Sequence, residues 1–170
     1  MPKPAGTIEV FLPPGELYFG DRYTRIRTLL GSCVSLVLWH PNKHLGGMSH
    51  FMLPTRRRGK ATETLDGRYG DEALELLLDE IRRSRTRPQD YSLRLFGGGN
   101  MFPGVGHGDG HIGAQNIRAA KRLILAHGLQ CQAEHVGGVG HRNLIFDVWS
   151  GRVAIKHSPP ASGALRASSK

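Results

Sequence analysis

Leucine and isoleucine recur at Leu74, Leu77, Leu78 and Ile81, the i, i+3, i+4, i+7 spacing of one helix face, which predicts a helix from Asp71 to Arg83. Asp71 and Glu72 open it and Arg82 and Arg83 close it, each charge at the end of the helix dipole that favours it. A second helix is predicted from Ala114 to His127, with Ile117, Ala120 and Ile124 as its apolar stripe and Gly128 as its stop. Elsewhere the pattern has the period of a strand. Thr7–Leu12 and Arg25–Leu30 alternate between apolar and polar residues on either side of the Pro13-Pro14-Gly15 break. Cys33–Trp39 is almost continuously apolar and too short for a helix, so it reads as a buried strand. After the turn His40–Lys43, Leu45–Leu53 is predicted to return beside it as a hairpin, with Gly46 and Gly47 permitting close approach of backbone and Pro54 ending it. Shorter strands follow at Leu93–Phe96, Cys131–His135, Asn143–Val148 and Val153–Lys156, the last two joined by a turn at Trp149–Arg152. Many strands with two intercalated helices imply an α+β domain, packed β-sheets flanked by helices.

Composition narrows the picture. With 170 residues there is room for one well-packed core, so 1–157 is read as a single domain and 158–170, rich in Ser, Pro, Ala and Gly, as a disordered basic tail. The first residues carry no apolar run of signal-peptide length, and nowhere does one approach the ~20 residues that span a bilayer, so a cytoplasmic location is expected. In a reducing compartment Cys33 and Cys131 would be free thiols.

Lys and Arg exceed Asp and Glu by 23 − 14 = +9, which points to an acidic partner surface. Part of this excess lies in Arg56, Arg57, Arg58 and Lys60, inside a polar stretch from Arg56 to Arg68 that reads as a mobile loop. These residues are candidates to steer an acidic partner; a solvated loop without a role is the commoner reading of such a run. Only 7% of the chain is aromatic, too little for the stacking platforms of nucleic-acid-binding modules.

Candidate chemistry centres on Cys33, which follows Gly31-Ser32 where a turn enters the buried strand. A free thiol is a poor nucleophile at neutral pH without a partner that takes its proton or stabilises its anion. His50, 17 residues downstream on the returning strand, is positioned to be that partner. Taken alone, each residue is more simply read as part of the core. His107, Asp109 and His111 lie within five residues, but the spacing is not that of a zinc site and the intervening glycines favour a loop. Gly97–Gly99 lacks the Gly-Lys-Ser/Thr step of a phosphate loop. Cys131 reads as a small buried residue.

The stretch Thr28–Trp39 with Gly31-Ser32-Cys33, followed by Gly46-Gly47-Met48-Ser49-His50, closely resembles the signature of the chemoreceptor glutamine deamidases, the CheD family. Phe96–Phe102, Ile112–Asn116, and Val136-Gly137-Gly138 with Arg142 and Ile145-Phe146 continue the resemblance across the chain in the family's order. It implies a fold similar to that of the cytotoxic necrotizing factor deamidases. It also implies Cys33 as nucleophile and His50 as acid/base partner, with Thr28 on the preceding strand as third catalytic residue. A slip of one residue would put Arg27 in place of Thr28, since it turns a strand's side chains to the other face. No metal or organic cofactor is implied. The substrate would be glutamines on the cytoplasmic helices of methyl-accepting chemoreceptors, with receptor methyl-ester hydrolysis as a side activity and a CheC-type phosphatase as a further partner. The alternatives are a non-catalytic adaptor that docks on receptors or on the phosphatase, and a basic nucleic-acid-binding domain.

Overall fold

The computed structural model describes residues 1–57, 63–104 and 111–160. The strands are β1 (Ile8–Leu12), β2 (Leu17–Gly20), β3 (Thr24–Leu30), β4 (Val34–His40), β5 (Leu45–Ser49), β6 (Ser92–Gly97), β7 (Cys131–Val136), β8 (His141–Asp147) and β9 (Arg152–Ser158). The helices are α1 (Gly70–Arg83) and α2 (Ile112–Ala126). Two mixed sheets form, one of four strands in the order β1-β3-β8-β9 and one of five in the order β2-β5-β4-β6-β7. The class is α+β.

Three layers result, because the five-stranded sheet is covered on both faces. Leu36 and Leu38 of β4 pack with Leu74, Leu77 and Ile81 of α1 and Ala120 and Ile124 of α2. Val37, on the opposite side of the same strand, packs with Ile26, Leu30, Leu144 and Phe146 of the four-stranded sheet. This is the physical origin of the unbroken apolar run in β4: a strand with two dry faces has no polar side to alternate with. β3 belongs to a sheet with one face open, and it alternates strictly, with Thr24, Ile26, Thr28 and Leu30 buried and Arg27 and Leu29 exposed. Gly46 holds the layers together closely, since a Cβ there would lie 2.8 Å from Phe146 and 2.9 Å from the Leu38 carbonyl oxygen.

The strand-rich reading and both helices agree with this architecture, and the β4–β5 hairpin is antiparallel as expected. Four points differ. β2 was not anticipated: four half-buried residues give neither alternation nor a continuous run. β5 leaves the regular ladder at Ser49, and Phe51 and Leu53 form single bridges to Val34 and Tyr69. Cys131 is exposed, not buried, because β7 is the edge strand of its sheet and is exposed along most of its length; its Sγ donates to the Ala133 carbonyl oxygen at 3.1 Å.

The fourth concerns the basic loop. Arg56 is not a free charge. Its guanidinium binds both carboxylate oxygens of Glu72 at 2.9 and 3.0 Å, and Glu72 is buried in the first turn of α1. Arg56 also donates to the Thr64 carbonyl oxygen, and the Asp66 amide donates to Glu72. Paired this way, Arg56 fastens the loop to α1 and has little field left to attract a partner. Arg57 is exposed, whereas Arg58 and Lys60 lie outside the described residues. So do His107, Asp109 and residues 161–170; Ser158, counted with the tail, ends β9.

Candidate active site

The turn between β3 and β4 carries Gly31, Ser32 and Cys33, and it is braced from below by Gly97–Gly99. The Gly98 amide donates to the Cys33 carbonyl oxygen at 2.8 Å, and the Gly99 amide to that of Gly31 at 2.9 Å. Gly97 has φ +106°, and a Cβ there would collide with the Cys33 carbonyl oxygen, so only glycine lets these backbones meet. The glycine run that superficially suggested a phosphate loop is a seat for the cysteine turn. Arg142, fully buried on β8, fixes that seat through the carbonyl oxygens of Gly97 and Gly137, and its Nε donates to His135 Nδ1 at 2.8 Å. Burial lowers its guanidinium pKa.

His50 directly follows β5. Its backbone is pinned on both sides, the amide donating to Glu16 at 3.0 Å and the carbonyl oxygen accepting from Gly15 at 2.8 Å. The Pro-Pro-Gly break therefore returns to clamp the histidine. Val34 and Phe51 form a mutual backbone pair across the strands. Counting back and forward from it sets His50 opposite Ser35, on the face that also carries Cys33. Diagonal neighbours of this kind are about 7–8 Å apart at Cα, within reach of side chains. That face looks onto the four-stranded sheet, where Cys33 packs against the intersheet core.

From that sheet Thr28 points inward. Its Oγ1 lies 2.7 Å from His50 Nδ1 and donates to the Leu12 carbonyl oxygen at 2.8 Å, and both Thr28 and His50 are buried. A hydroxyl has one proton. Spent on Leu12, it leaves the oxygen as acceptor, so Nδ1 must carry the imidazole proton and Nε2 must present its lone pair. Arg27, the alternative in a slipped register, is exposed and turned the other way.

Burial pushes the His50 imidazolium down to about 4, and the Leu12 carbonyl only partly opposes it. Burial likewise raises the Cys33 thiol. Burial thus disfavours both charged forms, the imidazolium and the thiolate, so the resting pair is neutral thiol and neutral imidazole. The same burial has a consequence for stability. An unfolded histidine takes its proton near pH 6.5, the folded one only near 4, so in that window the unfolded state binds more protons and stability falls as pH falls. The full window corresponds to roughly 3 kcal/mol. Thermal unfolding of wild type should therefore lose several degrees more than His50→Gln between about pH 7 and pH 4; equal losses would mean that His50 protonates freely in the fold.

Asn116 and Arg142 had no assigned role from sequence. A signal for Asn116 did exist: it lies four residues before Ala120 and eight before Ile124, a polar residue where the helical period demands an apolar one. His111, weighed as a metal ligand, caps α2 by accepting from the Ala114 amide at 3.2 Å.

The fold is thus α+β, with a cysteine at a braced strand entry and, on the same strand face, a buried histidine held by a threonine of the facing sheet. The family model described as CheD chemotactic sensory transduction matches residues 52–157, a span that begins just after His50. The "Probable chemoreceptor glutamine deamidase CheD" of Pseudomonas syringae pv. tomato is 48% identical over 161 residues, covering 94% of this chain and 95% of the relative. A relative in Dechloromonas aromatica, "Probable chemoreceptor glutamine deamidase CheD 3", is 47% identical over 163 residues, 96% of this chain and 95% of the relative. One in Leptospira interrogans, "Probable chemoreceptor glutamine deamidase CheD 1", is 34% identical over 161 residues, 91% and 95% respectively. The chain belongs to the CheD family.

Proposed function

We propose that this protein deamidates glutamine side chains of methyl-accepting chemoreceptors through a thioester on Cys33. The observation that carries the reading is the Leu12–Thr28–His50 relay, which leaves His50 Nε2 as a bare base on the face shared with Cys33. Family membership supplies the substrate class. His50 takes the thiol proton as sulfur attacks the carboxamide carbon; because the resting pair is neutral, proton transfer accompanies attack. The backbone N–H groups of Ser32 and Cys33, at the turn ahead of the ladder that begins at Val34, hold the oxyanion. The C–N bond breaks as His50 returns the proton to the departing ammonia. Water, deprotonated by His50, then hydrolyses the thioester to glutamate and restores the thiol.

The reading places the protein in the cytoplasm beside the receptor helices; among the described residues no helix is long and apolar enough to cross a membrane. It includes kinship in fold with the cytotoxic necrotizing factor deamidases, supported by the packed sheets and flanking helices. Docking of a CheC-type phosphatase would compete with receptors if it uses the same face. The test is mass spectrometry of a receptor cytoplasmic fragment incubated with the protein: each deamidation raises the mass by about one dalton and releases one ammonia. A fragment that stays unmodified, while its glutamines remain accessible to another deamidase, rejects the proposal.

Thr28→Val keeps the shape of the side chain but removes the acceptor for Nδ1–H, so the imidazole is free to swing or change tautomer. It should lower kcat by about 10–100-fold with little change in KM. Wild-type kinetics in this variant would remove threonine from the relay.

A further inference from the structure

One buried polar side chain takes no part in the chemistry above. Asn116, on the core-facing side of α2, is completely excluded from solvent. Its Nδ2 donates to the carbonyl oxygen of Ser32 at 3.1 Å and to that of Met52 at 2.9 Å. Because both acceptors are carbonyls, the amide cannot be turned around, and Oδ1 is left buried with no hydrogen-bond partner among the described residues. Asparagine is also a weak helix former. An apolar residue at this position would fill the core without either cost.

The two carbonyls explain why the amide is worth keeping. Ser32 immediately precedes Cys33, and Met52 is two residues beyond His50. Val34 and Phe51 are the last residues to exchange backbone hydrogen bonds before these segments diverge. Past that rung the two segments are joined through the Asn116 amide, which both the Ser32 and the Met52 carbonyl oxygens accept. A side-chain NH₂ has two protons, one for each. It is the only uncharged side-chain group that can replace the missing rung while joining the two strands from the helix layer.

We infer that Asn116 is a positioning residue, stapling the Cys33 segment to the His50 segment and thereby setting the approach of sulfur to imidazole. This rests on the reading of those two residues as the reacting pair. It is tested in a Cys131→Ser background, so that Cys33 is the only thiol, with Asn116→Ala, Asn116→Asp and, as a control for helix packing, Ile124→Ala. Ile124 is buried on the same helix face, two turns away. Three quantities are read: kcat and KM on a receptor fragment, the rate of Cys33 alkylation by iodoacetamide against pH, and the unfolding temperature.

The staple predicts that Asn116→Ala loses kcat about 30–100-fold with KM nearly unchanged, the scale of a displacement near 1 Å. Its alkylation profile should approach that of His50→Ala. Ile124→Ala should lose unfolding temperature but keep kcat in the folded range. Asn116→Asp has a further signature: a buried carboxyl offers a donor only while protonated, so it should be more active near about pH 5.5 than near about pH 8, where wild type is flat. Full kcat in folded Asn116→Ala, an equal kcat loss in Ile124→Ala, or failure of both Asn116 variants to fold would each overturn the positioning role. The alkylation arm needs no substrate. If the wild type modifies no receptor fragment, a profile that differs between wild type and Asn116→Ala sustains the staple while the deamidase reading fails; identical profiles overturn the staple by itself.

Discussion

Cys33→Ala should abolish deamidation, leaving at most the slow background of the uncatalysed reaction, with the fold intact. In the proposed mechanism sulfur is the atom that bonds to the substrate carbon, and no neighbouring side chain replaces it; alanine fills most of its volume at a half-buried site in contact with the intersheet core, so the cost in packing is small. The loss should fall entirely in kcat, by at least about 10⁴-fold. Cys131→Ala is the matched control. Its thiol is exposed on the edge strand β7, and its substitution should leave turnover unchanged. Trapping after a brief incubation should show the acyl adduct on the peptide containing Cys33. An inactive Cys131→Ala protein, or an adduct on that peptide, would move the nucleophile to the other end of the molecule.

The second large effect is expected at His50. Its removal leaves the thiol raised by burial and with nothing to accept its proton, so His50→Ala should lose about 10³–10⁴-fold in kcat. The pair acts as a unit, and the Cys33→Ala/His50→Ala double variant should be no slower than Cys33→Ala alone. Wild-type kcat/KM should hold steady on acidification and fall only near pH 4, well below the limb near 6.5 that an exposed histidine would give. A limb near 6.5 would mean that His50 is solvated when substrate arrives. Normal turnover in His50→Ala would dissolve the dyad altogether.

Much of this was legible along the chain, for a local reason. The period of Leu74, Leu77, Leu78 and Ile81 is a property of one helix, and the apolar run from Cys33 to Trp39 is a property of one strand; both survive folding because tertiary burial reinforced them. The turn residues around Cys33 and the return of the chain through Gly46 and Gly47 are local too, so the hairpin that brings His50 back was readable. Short β2 was not, since nothing within four residues reveals that they will lie against β5.

What depended on tertiary structure was pairing between segments far apart in sequence. A residue number cannot say whether Thr28 or Arg27 faces the histidine, because that follows from which face of β3 the second sheet covers; covering it buried Thr28 and placed its hydroxyl between Leu12 and His50. Basic composition suggested free charge at Arg56, but the acid that neutralises it, Glu72, is 16 residues away on α1 and came close only when the loop folded over the helix. The missing Gly-Lys-Ser/Thr step already spoke against a phosphate loop at Gly97–Gly99, but that these glycines seat the Cys33 turn is seen only in the approach of the two backbones. Asn116 is 84 residues from Ser32 and 64 from Met52. Sequence by itself determined the elements and the candidate nucleophile, because helix and strand periods and turn chemistry act over a few residues. Tertiary structure decided the hydrogen bonds from Leu12 through Thr28 to His50 and the bracing of the Cys33 turn, because hydrogen bonds and desolvation depend on who is within about 3 Å, which sequence spacing does not record.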